Sequence, residues 1–88
     1  MKAKIKIKAK IVEPEYNEVP ISTEFIKLDA FLKFAAIVQT GGEAKMIIED
    51  GIVKVNGEVC TQRGRKLRPG DRIDVDGQLF QVVSGDVH

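Results

Sequence analysis

The first residues of the chain alternate a basic side chain with an apolar one. Over residues 2–11 every even position is lysine, and the odd positions are Ala3, Ile5, Ile7, Ala9 and Ile11. Alternate side chains of a strand point to opposite faces, so this pattern predicts a strand with all of its lysines on one face. Those lysines either form a solvated edge that discourages aggregation or contact phosphates. The narrow apolar face lacks aromatic residues, which argues against a membrane as the partner.

The next part of the chain predicts one further strand and two helices. Residues 19–25 fit a strand, which Pro20 restricts to an edge position or a late start. Apolar residues then recur at helical spacing, first at Leu28, Phe31, Leu32, Ala35 and Val38 and again at Ala44, Ile47 and Ile48. Gly41-Gly42 is predicted to end the first helix and Glu43 to begin the second. Gly51 fits the left-handed residue that follows many helices.

The C-terminal part alternates apolar and polar residues over short segments separated by turns. Asn56-Gly57 and Asp76-Gly77 are two-residue hairpin signals, and Pro69-Gly70 marks another turn. The apolar segments predict four short strands, residues 61–68 have the composition of a loop, and residues 84–88 form a polar tail. The order of elements predicts an α+β domain, with two short helices packed on one side of a small, mostly antiparallel sheet.

Length and charge narrow the class of protein. The chain has 88 residues, which suits one domain, and no apolar run approaches the roughly 18 residues of a membrane span. The N-terminus lacks a continuous apolar segment, so no export signal is indicated and the cytoplasm is the expected compartment. The net charge is only +1, yet residues 61–72 hold five cations against Asp71, whereas residues 13–24 hold four glutamates and no base. This distribution allows one local cationic patch.

The side chains that catalysis or metal binding would need are scarce. Cys60 is the one cysteine and His88 the one histidine, so neither a disulfide nor a cysteine–histidine metal site can form within the chain. Cys60 is expected to be buried or half-buried. Asp74 and Asp76 share a strand face but are too few oxygen ligands for Mg²⁺ or Ca²⁺. We therefore expect no enzyme activity, cofactor, metal ion or small-molecule substrate.

The basic segment, residues 62–68, is the most distinctive chemical feature. It places four cations within six positions, namely Arg63, Arg65, Lys66 and Arg68. Like charges at this density repel one another, and a polyanion relieves the repulsion when it binds and counterions are released. Arginine also matches phosphate oxygens and stacks on exposed bases. The alternative is a solvated loop neutralised by Asp71, Asp74 and Asp76.

Four motifs in one order resemble the RNA-binding domain named after small-subunit ribosomal protein S4. They are residues 28–32, residues 40–45, residues 51–59 with the pattern G-x-V-x-V-N-G, and residues 66–71 with the pattern K-L-x-x-G-D. The compact size is most similar to the free-standing bacterial members of that family. The resemblance implies a helix pair followed by a short sheet. It also implies binding of structured RNA, such as ribosomal or transfer RNA, or of the ribosome itself.

The resemblance further implies which residues bind the RNA. The family uses basic residues of both helices and of the loop after the first hairpin. The corresponding residues here are Lys27, Lys33, Lys45, Lys54, Asn56, Arg63, Arg65, Lys66 and Arg68. They would mainly contact phosphates, which gives affinity and position rather than sequence readout. Asn56 has an equal alternative as a turn residue.

The chain departs from the family at the helix pair. Gly41 stands where many members carry arginine, and Glu49-Asp50 places acids where the family is basic or neutral. Both changes shift the expected RNA binding from the helices toward the basic segment. They also leave open a second function, in which the protein keeps the fold but acts as a protein-interaction adaptor without binding RNA. The expected division is residues 1–25 as N-terminal strands of the same domain, 26–83 as the S4-like part and 84–88 as the tail.

Overall fold

The computed structural model describes residues 15–85. The lysine strand predicted at residues 2–11 and the last part of the tail, residues 86–88, lie outside this range. The described elements are β1 (Asn17–Ile21), β2 (Ile26–Lys27), α1 (Leu28–Phe34), α2 (Gly41–Glu49), β3 (Val53–Val55), β4 (Glu58–Val59), β5 (Lys66–Leu67), β6 (Arg72–Val75) and β7 (Gln78–Ser84). The longer helix, α2, has nine residues, and neither described helix is long enough to cross a membrane.

Five of the strands form the main sheet, in the order β1-β7-β6-β3-β4. All neighbours in it run antiparallel except β1 and β7, which are parallel with Val19 opposite Val82. Pro20 lies in β1, at the edge of the sheet, which is where a strand tolerates a proline. The predicted α+β class with a mostly antiparallel sheet is confirmed. A separate two-stranded ribbon pairs β2 with β5.

The helices and the main sheet share one apolar core. The fully buried helical residues are Leu28, Phe31, Leu32, Ala44 and Ile48, all at positions that the helical spacing predicts. Phe31 contacts Phe80 of β7 edge-on, with 6.2 Å between the ring centroids. Cys60 is buried in the same core. Because strand side chains alternate, residues such as Lys54 and Arg72 lie on the opposite face of the main sheet.

The first helix is shorter than its apolar spacing predicts. It ends at Phe34 rather than at the glycine pair, because Ala36 takes a left-handed conformation with φ of 61°. The N–H groups of Ala36 and Ile37 then donate to carbonyls of the last helical turn, at 3.0 and 2.9 Å. Val38 still reaches the core after this reversal. The apolar pattern therefore continues beyond the helix and could not locate its end.

The glycine pair lies inside the second helix and not between the two helices as predicted. α2 begins at Gly41, and the Thr40 side chain caps it by accepting a 3.1 Å hydrogen bond from the N–H of Glu43. The Glu43 carboxylate accepts one from the N–H of Gln39 at 2.7 Å. Side-chain bonds of this kind satisfy amides that a helix start leaves unpaired, so the helix begins before Glu43. The connection between the helices accordingly spans residues 35–40.

Both predicted two-residue hairpins are present. Asn56 and Gly57 have φ of 52° and 89°, and Asp76 and Gly77 have φ of 52° and 93°. A tight hairpin between twisted strands needs this pair of left-handed residues, and asparagine, aspartate and glycine adopt them most readily. The turns are therefore decided by two adjacent residues, which is why the sequence locates them accurately.

We expect Ala36→Gly to stabilise the protein by about 0.5 kcal/mol. The left-handed conformation costs a residue with a Cβ about 1–2 kcal/mol, while glycine loses about 0.4–1 kcal/mol more entropy on folding. Urea denaturation followed by circular dichroism measures the difference. Ala35→Gly is the control, because Ala35 has φ of −84° and gains nothing from glycine. Reduced stability in Ala36→Gly would contradict the strain assigned to this position.

Candidate nucleic-acid interface

The basic segment is not the open loop that its composition predicts. Its residues 66 and 67 form β5, which pairs antiparallel with β2 so that Lys66 lies opposite Lys27. The adjacent pair, Ile26 and Leu67, points the other way, and Leu67 is fully buried in the common core. A single apolar residue in a polar segment produces no alternation, so the pattern of the sequence could not reveal this strand.

Two backbone hydrogen bonds extend the ribbon into α1. The N–H of Leu28 donates to the Arg65 carbonyl at 2.8 Å, and the N–H of Asp29 donates to the Arg63 carbonyl at 3.1 Å. These first amides of the helix have no partner within it, and Lys27 at the N-cap makes no side-chain cap. The basic segment therefore completes the start of α1, and its two arginines are held beside the helix.

One face of the ribbon is cationic and includes an aromatic ring. Lys27 and Lys66 are both exposed, and as opposed residues of an antiparallel pair they have Cβ atoms about 5 Å apart. The Nζ of Lys66 lies 4.9 Å from the centroid of the Phe25 ring, and the Cζ of Arg68 lies 5.8 Å from it. Both distances suit a cation–π interaction. We name Phe25, Lys27, Lys66 and Arg68 the ribbon cluster.

The other two arginines of the basic segment lie in an exposed turn next to the ribbon. Arg63 and Arg65 flank Gly64, and the N–H of Arg65 donates to the Gln62 carbonyl at 3.2 Å. A Cβ at Gly64 would meet nothing within 4 Å, so the space beside the turn is open. An anion can therefore approach the turn itself as well as its two guanidinium groups.

Of the three lysines predicted on the helices, Lys33 and Lys45 are exposed on α1 and α2, whereas Lys27 lies in β2 at the N-cap of α1. Lys33 lies in the last turn of α1, and Lys45 lies in the middle of α2. Glu49 follows Lys45 by four residues, so the two side chains are neighbours on the helix surface and their charges offset each other. On α2, therefore, the one lysine has an acidic neighbour on the same surface.

Lys54 projects from the face of the main sheet that is turned away from the core. It is exposed between two buried valines of β3, and its cross-strand neighbours are Val59 and Asp74. An opposite charge directly across a sheet offsets a lysine. The neighbours of Lys54 thus belong to the main sheet and not to the ribbon cluster.

Asn56 is held by the hairpin turn in which it lies. Its side-chain oxygen accepts a 2.9 Å hydrogen bond from the N–H of Arg72, and its Nδ2 donates to the Asp71 carboxylate at 3.2 Å. That carboxylate also accepts from the N–H of Arg68 at 2.8 Å. The amide of Asn56 therefore connects the first hairpin to the turn that follows the basic segment.

Two of the three carboxylates that could neutralise the basic segment, Asp71 and Asp74, accept hydrogen bonds within turns. Asp71 accepts the two hydrogen bonds from Asn56 and Arg68, and Asp74 accepts one from the N–H of Gly77 at 2.8 Å. Among residues 15–85, no group of three or more histidine, cysteine, aspartate or glutamate side chains could hold a metal ion. Arg63 and Arg65 are exposed, so an external anion can reach them.

Two aromatic residues fall outside the site that the sequence predicts. Phe25 belongs to the ribbon cluster, and Tyr16 contacts Arg72, whose Cζ lies 4.6 Å from the centroid of the tyrosine ring. Phe25 lies two positions before Lys27, so the alternation of a strand could have placed both on one face. The contact of Tyr16 depends on the order of β1, β7 and β6 in the sheet, which no local pattern indicates.

The chain is similar to several known proteins. Residues 19–83 match the S4 domain family. The chain is 45% identical over 69 residues to "Probable ribosome maturation protein RlbA" of Bacillus subtilis, a match that covers 77% of this chain and 97% of that protein. It is 34% identical over 59 residues to "Putative RNA-binding protein YbcJ" of Escherichia coli, covering 67% of this chain and 84% of that protein.

The fold is also present in a solved ribosomal protein. The crystal structure of 30S ribosomal protein S4e from Thermoplasma acidophilum matches with a TM-score of 0.54 and 20% sequence identity. The match covers 68% of this chain and 32% of the ribosomal protein, so this chain spans about a third of that protein. At this identity the likeness concerns the fold alone.

We expect Leu67→Ala to destabilise the protein by about 3 kcal/mol, because leucine-to-alanine changes in cores cost about 2–5 kcal/mol. Urea denaturation measures this loss, and faster amide hydrogen exchange at Leu28 and Asp29 would report release of the basic segment from α1. Val59→Ala is the control, since Val59 is 55% exposed. A change at an exposed site should alter stability by less than about 0.5 kcal/mol. A cost below about 1 kcal/mol for Leu67→Ala would show that this residue does not anchor the ribbon.

Proposed function

Because the chain belongs to the S4 domain family, we propose that it binds folded RNA and catalyses no reaction. The observation that carries the proposal is the attachment of the basic segment to α1. Two backbone hydrogen bonds and the buried Leu67 hold the exposed cations of the segment at one place on the surface. A loop that only kept the protein in solution would need no such attachment.

We propose a ribosomal or transfer RNA, or the ribosome itself, as the partner. One relative is named as a ribosome maturation protein and another as an RNA-binding protein. The matches cover 97% and 84% of those two proteins, so nearly all of each corresponds to this chain. We therefore propose a structured RNA of the translation machinery as the ligand.

Binding rests on phosphate contacts made by two neighbouring units, the ribbon cluster and the turn formed by Arg63 and Arg65. A guanidinium group matches two phosphate oxygens at once, whereas a lysine acts as a point charge. Lys27 and Lys66 lie opposite each other and repel in the free protein. Phosphates relieve that repulsion and release counterions. The fixed backbone of the segment also reduces the conformational entropy lost on binding.

The nine predicted residues contribute to this surface to different degrees. Lys45 is offset by Glu49, Lys54 lies beside Asp74 on the far face of the main sheet, and Asn56 is held by its turn. We propose as the principal RNA contacts Lys27, Arg63, Arg65, Lys66 and Arg68. The smaller contributions come from Lys33, Lys45, Lys54 and Asn56.

A protein-interaction adaptor is the second candidate function. Phe34 on α1 and Met46 on α2 are 59% and 60% exposed, and exposed large apolar side chains can serve as contacts for a partner protein. Capture of partners from a cell lysate, with and without nuclease, separates the two functions. Proteins that stay bound after nuclease treatment favour the adaptor, and proteins lost together with the RNA favour RNA binding.

We expect the affinity for a structured RNA to fall as salt rises, and the double variant Arg63→Ala with Arg65→Ala to weaken that dependence. Each phosphate contact contributes about 0.7–0.9 to the slope of log affinity against log salt, so the loss of two contacts lowers the slope by about 1.5. Fluorescence anisotropy of a labelled ribosomal RNA hairpin over a salt series measures both quantities. Arg72→Ala is the matched control, because that guanidinium lies against Tyr16 and should leave the slope unchanged.

An affinity that does not change with salt would overturn the phosphate surface, and so would a double variant that binds as tightly as the unmodified protein. The two arginine side chains are exposed, and α1 is joined to their backbone carbonyls, which alanine retains. The double variant should therefore fold, and circular dichroism checks this for it and for Arg72→Ala. A loss of binding then reports on the RNA contact.

A further inference from the structure

The ribbon cluster contains an aromatic ring that phosphate binding alone does not need. Phe25 is half-buried, and it is neither one of the buried core residues nor one of the partly buried residues packed against them. The charged ends of Lys66 and Arg68 lie 4.9 and 5.8 Å from the centroid of its ring. The ring is therefore a surface group among cations rather than a component of the core.

The ring and the cations match the two parts of a single nucleotide. An aromatic ring stacks on an unpaired base, and a lysine or arginine beside it binds the adjoining phosphates. Lys66 and Arg68 are exposed, and cation–π contacts made by exposed cations are weak, so a base can displace these side chains from the ring. An RNA duplex presents phosphates but keeps its bases stacked inside, and it would not engage the ring.

We propose that Phe25 is a stacking platform for an unpaired RNA base, and that Lys66 and Arg68 hold the phosphates next to that base. The inference rests on the RNA binding proposed above and adds the class of RNA. The ligand is a folded RNA that presents a single-stranded base, in a loop or a bulge, at the ribbon cluster. Stacking tolerates any base, so this contact selects unpaired structure rather than sequence.

The variant Phe25→Leu removes the aromatic surface and keeps an apolar side chain beside the two cations. We expect it to bind an RNA hairpin with an unpaired loop at least about fivefold more weakly. Its affinity for a fully paired duplex of the same length, and its salt dependence, should not change. Tyr16→Leu is the matched control, because Tyr16 also contacts a cation, Arg72 at 4.6 Å, but lies outside the ribbon cluster. It should alter neither affinity.

The variant Phe25→Trp supplies a direct signal. The chain has no tryptophan, so the new indole is the single tryptophan fluorophore. Stacking of a base quenches indole fluorescence, and we therefore expect the saturating hairpin to quench it and the duplex to leave it unchanged. Tyr16→Trp gives the quenching expected from RNA binding without stacking.

The outcomes separate this inference from the proposed function. If neither RNA binds the unmodified protein, the proposed RNA-binding function is wrong, and the stacking role that rests on it is wrong as well. If the hairpin binds with a salt dependence, but Phe25→Leu binds it equally tightly and Phe25→Trp is not quenched, the stacking role alone is wrong. Equal losses for hairpin and duplex in a folded Phe25→Leu protein would also overturn stacking, because the ring would then serve only to support the cations.

Discussion

The hydrogen-bonded ribbon between β2 and β5 is the interaction on which the rest of the site depends. A helix of seven residues is too short to be stable alone, and α1 needs partners for its first amides. The basic segment supplies those partners through two carbonyls, and in return the helix and the buried Leu67 hold the segment in one conformation. Burial of one leucine contributes about 1.5–3 kcal/mol, which exceeds the repulsion between two opposed lysines, about 0.2–1 kcal/mol.

The distribution of charge over the surface depends on which groups the carboxylates contact. The total charge is close to zero, but Asp71 and Asp74 accept hydrogen bonds in turns, and Glu43 caps the second helix. These acids accept hydrogen bonds from backbone N–H groups, whereas Arg63 and Arg65 are exposed. A nearly neutral chain can therefore present a local cationic surface, and its low net charge does not favour general attraction of polyanions.

The differences between prediction and structure have a common cause. The apolar pattern identified the buried faces of both helices correctly, but burial continues through Val38 after the chain has reversed at Ala36. The glycine pair is a plausible helix end by composition, yet the cap formed by Thr40 makes it a helix start. In each case a hydrogen bond or a contact decides between conformations that the local composition allows.

The sequence by itself determined the two hairpin turns, the core positions of the helices, the α+β class and the order of motifs that identifies the family. These features depend on residues that are adjacent or one helical turn apart. The conformational preferences of such residues can be determined from a short stretch of sequence. The tertiary structure decided the parallel pairing of β1 with β7, the β2–β5 ribbon and the grouping of cations around Phe25. The ribbon joins residues about forty positions apart, and its strands have two residues each. A pairing that short has no periodicity of its own, and it forms because the burial of Leu67 and the open amides of α1 bring the two segments together.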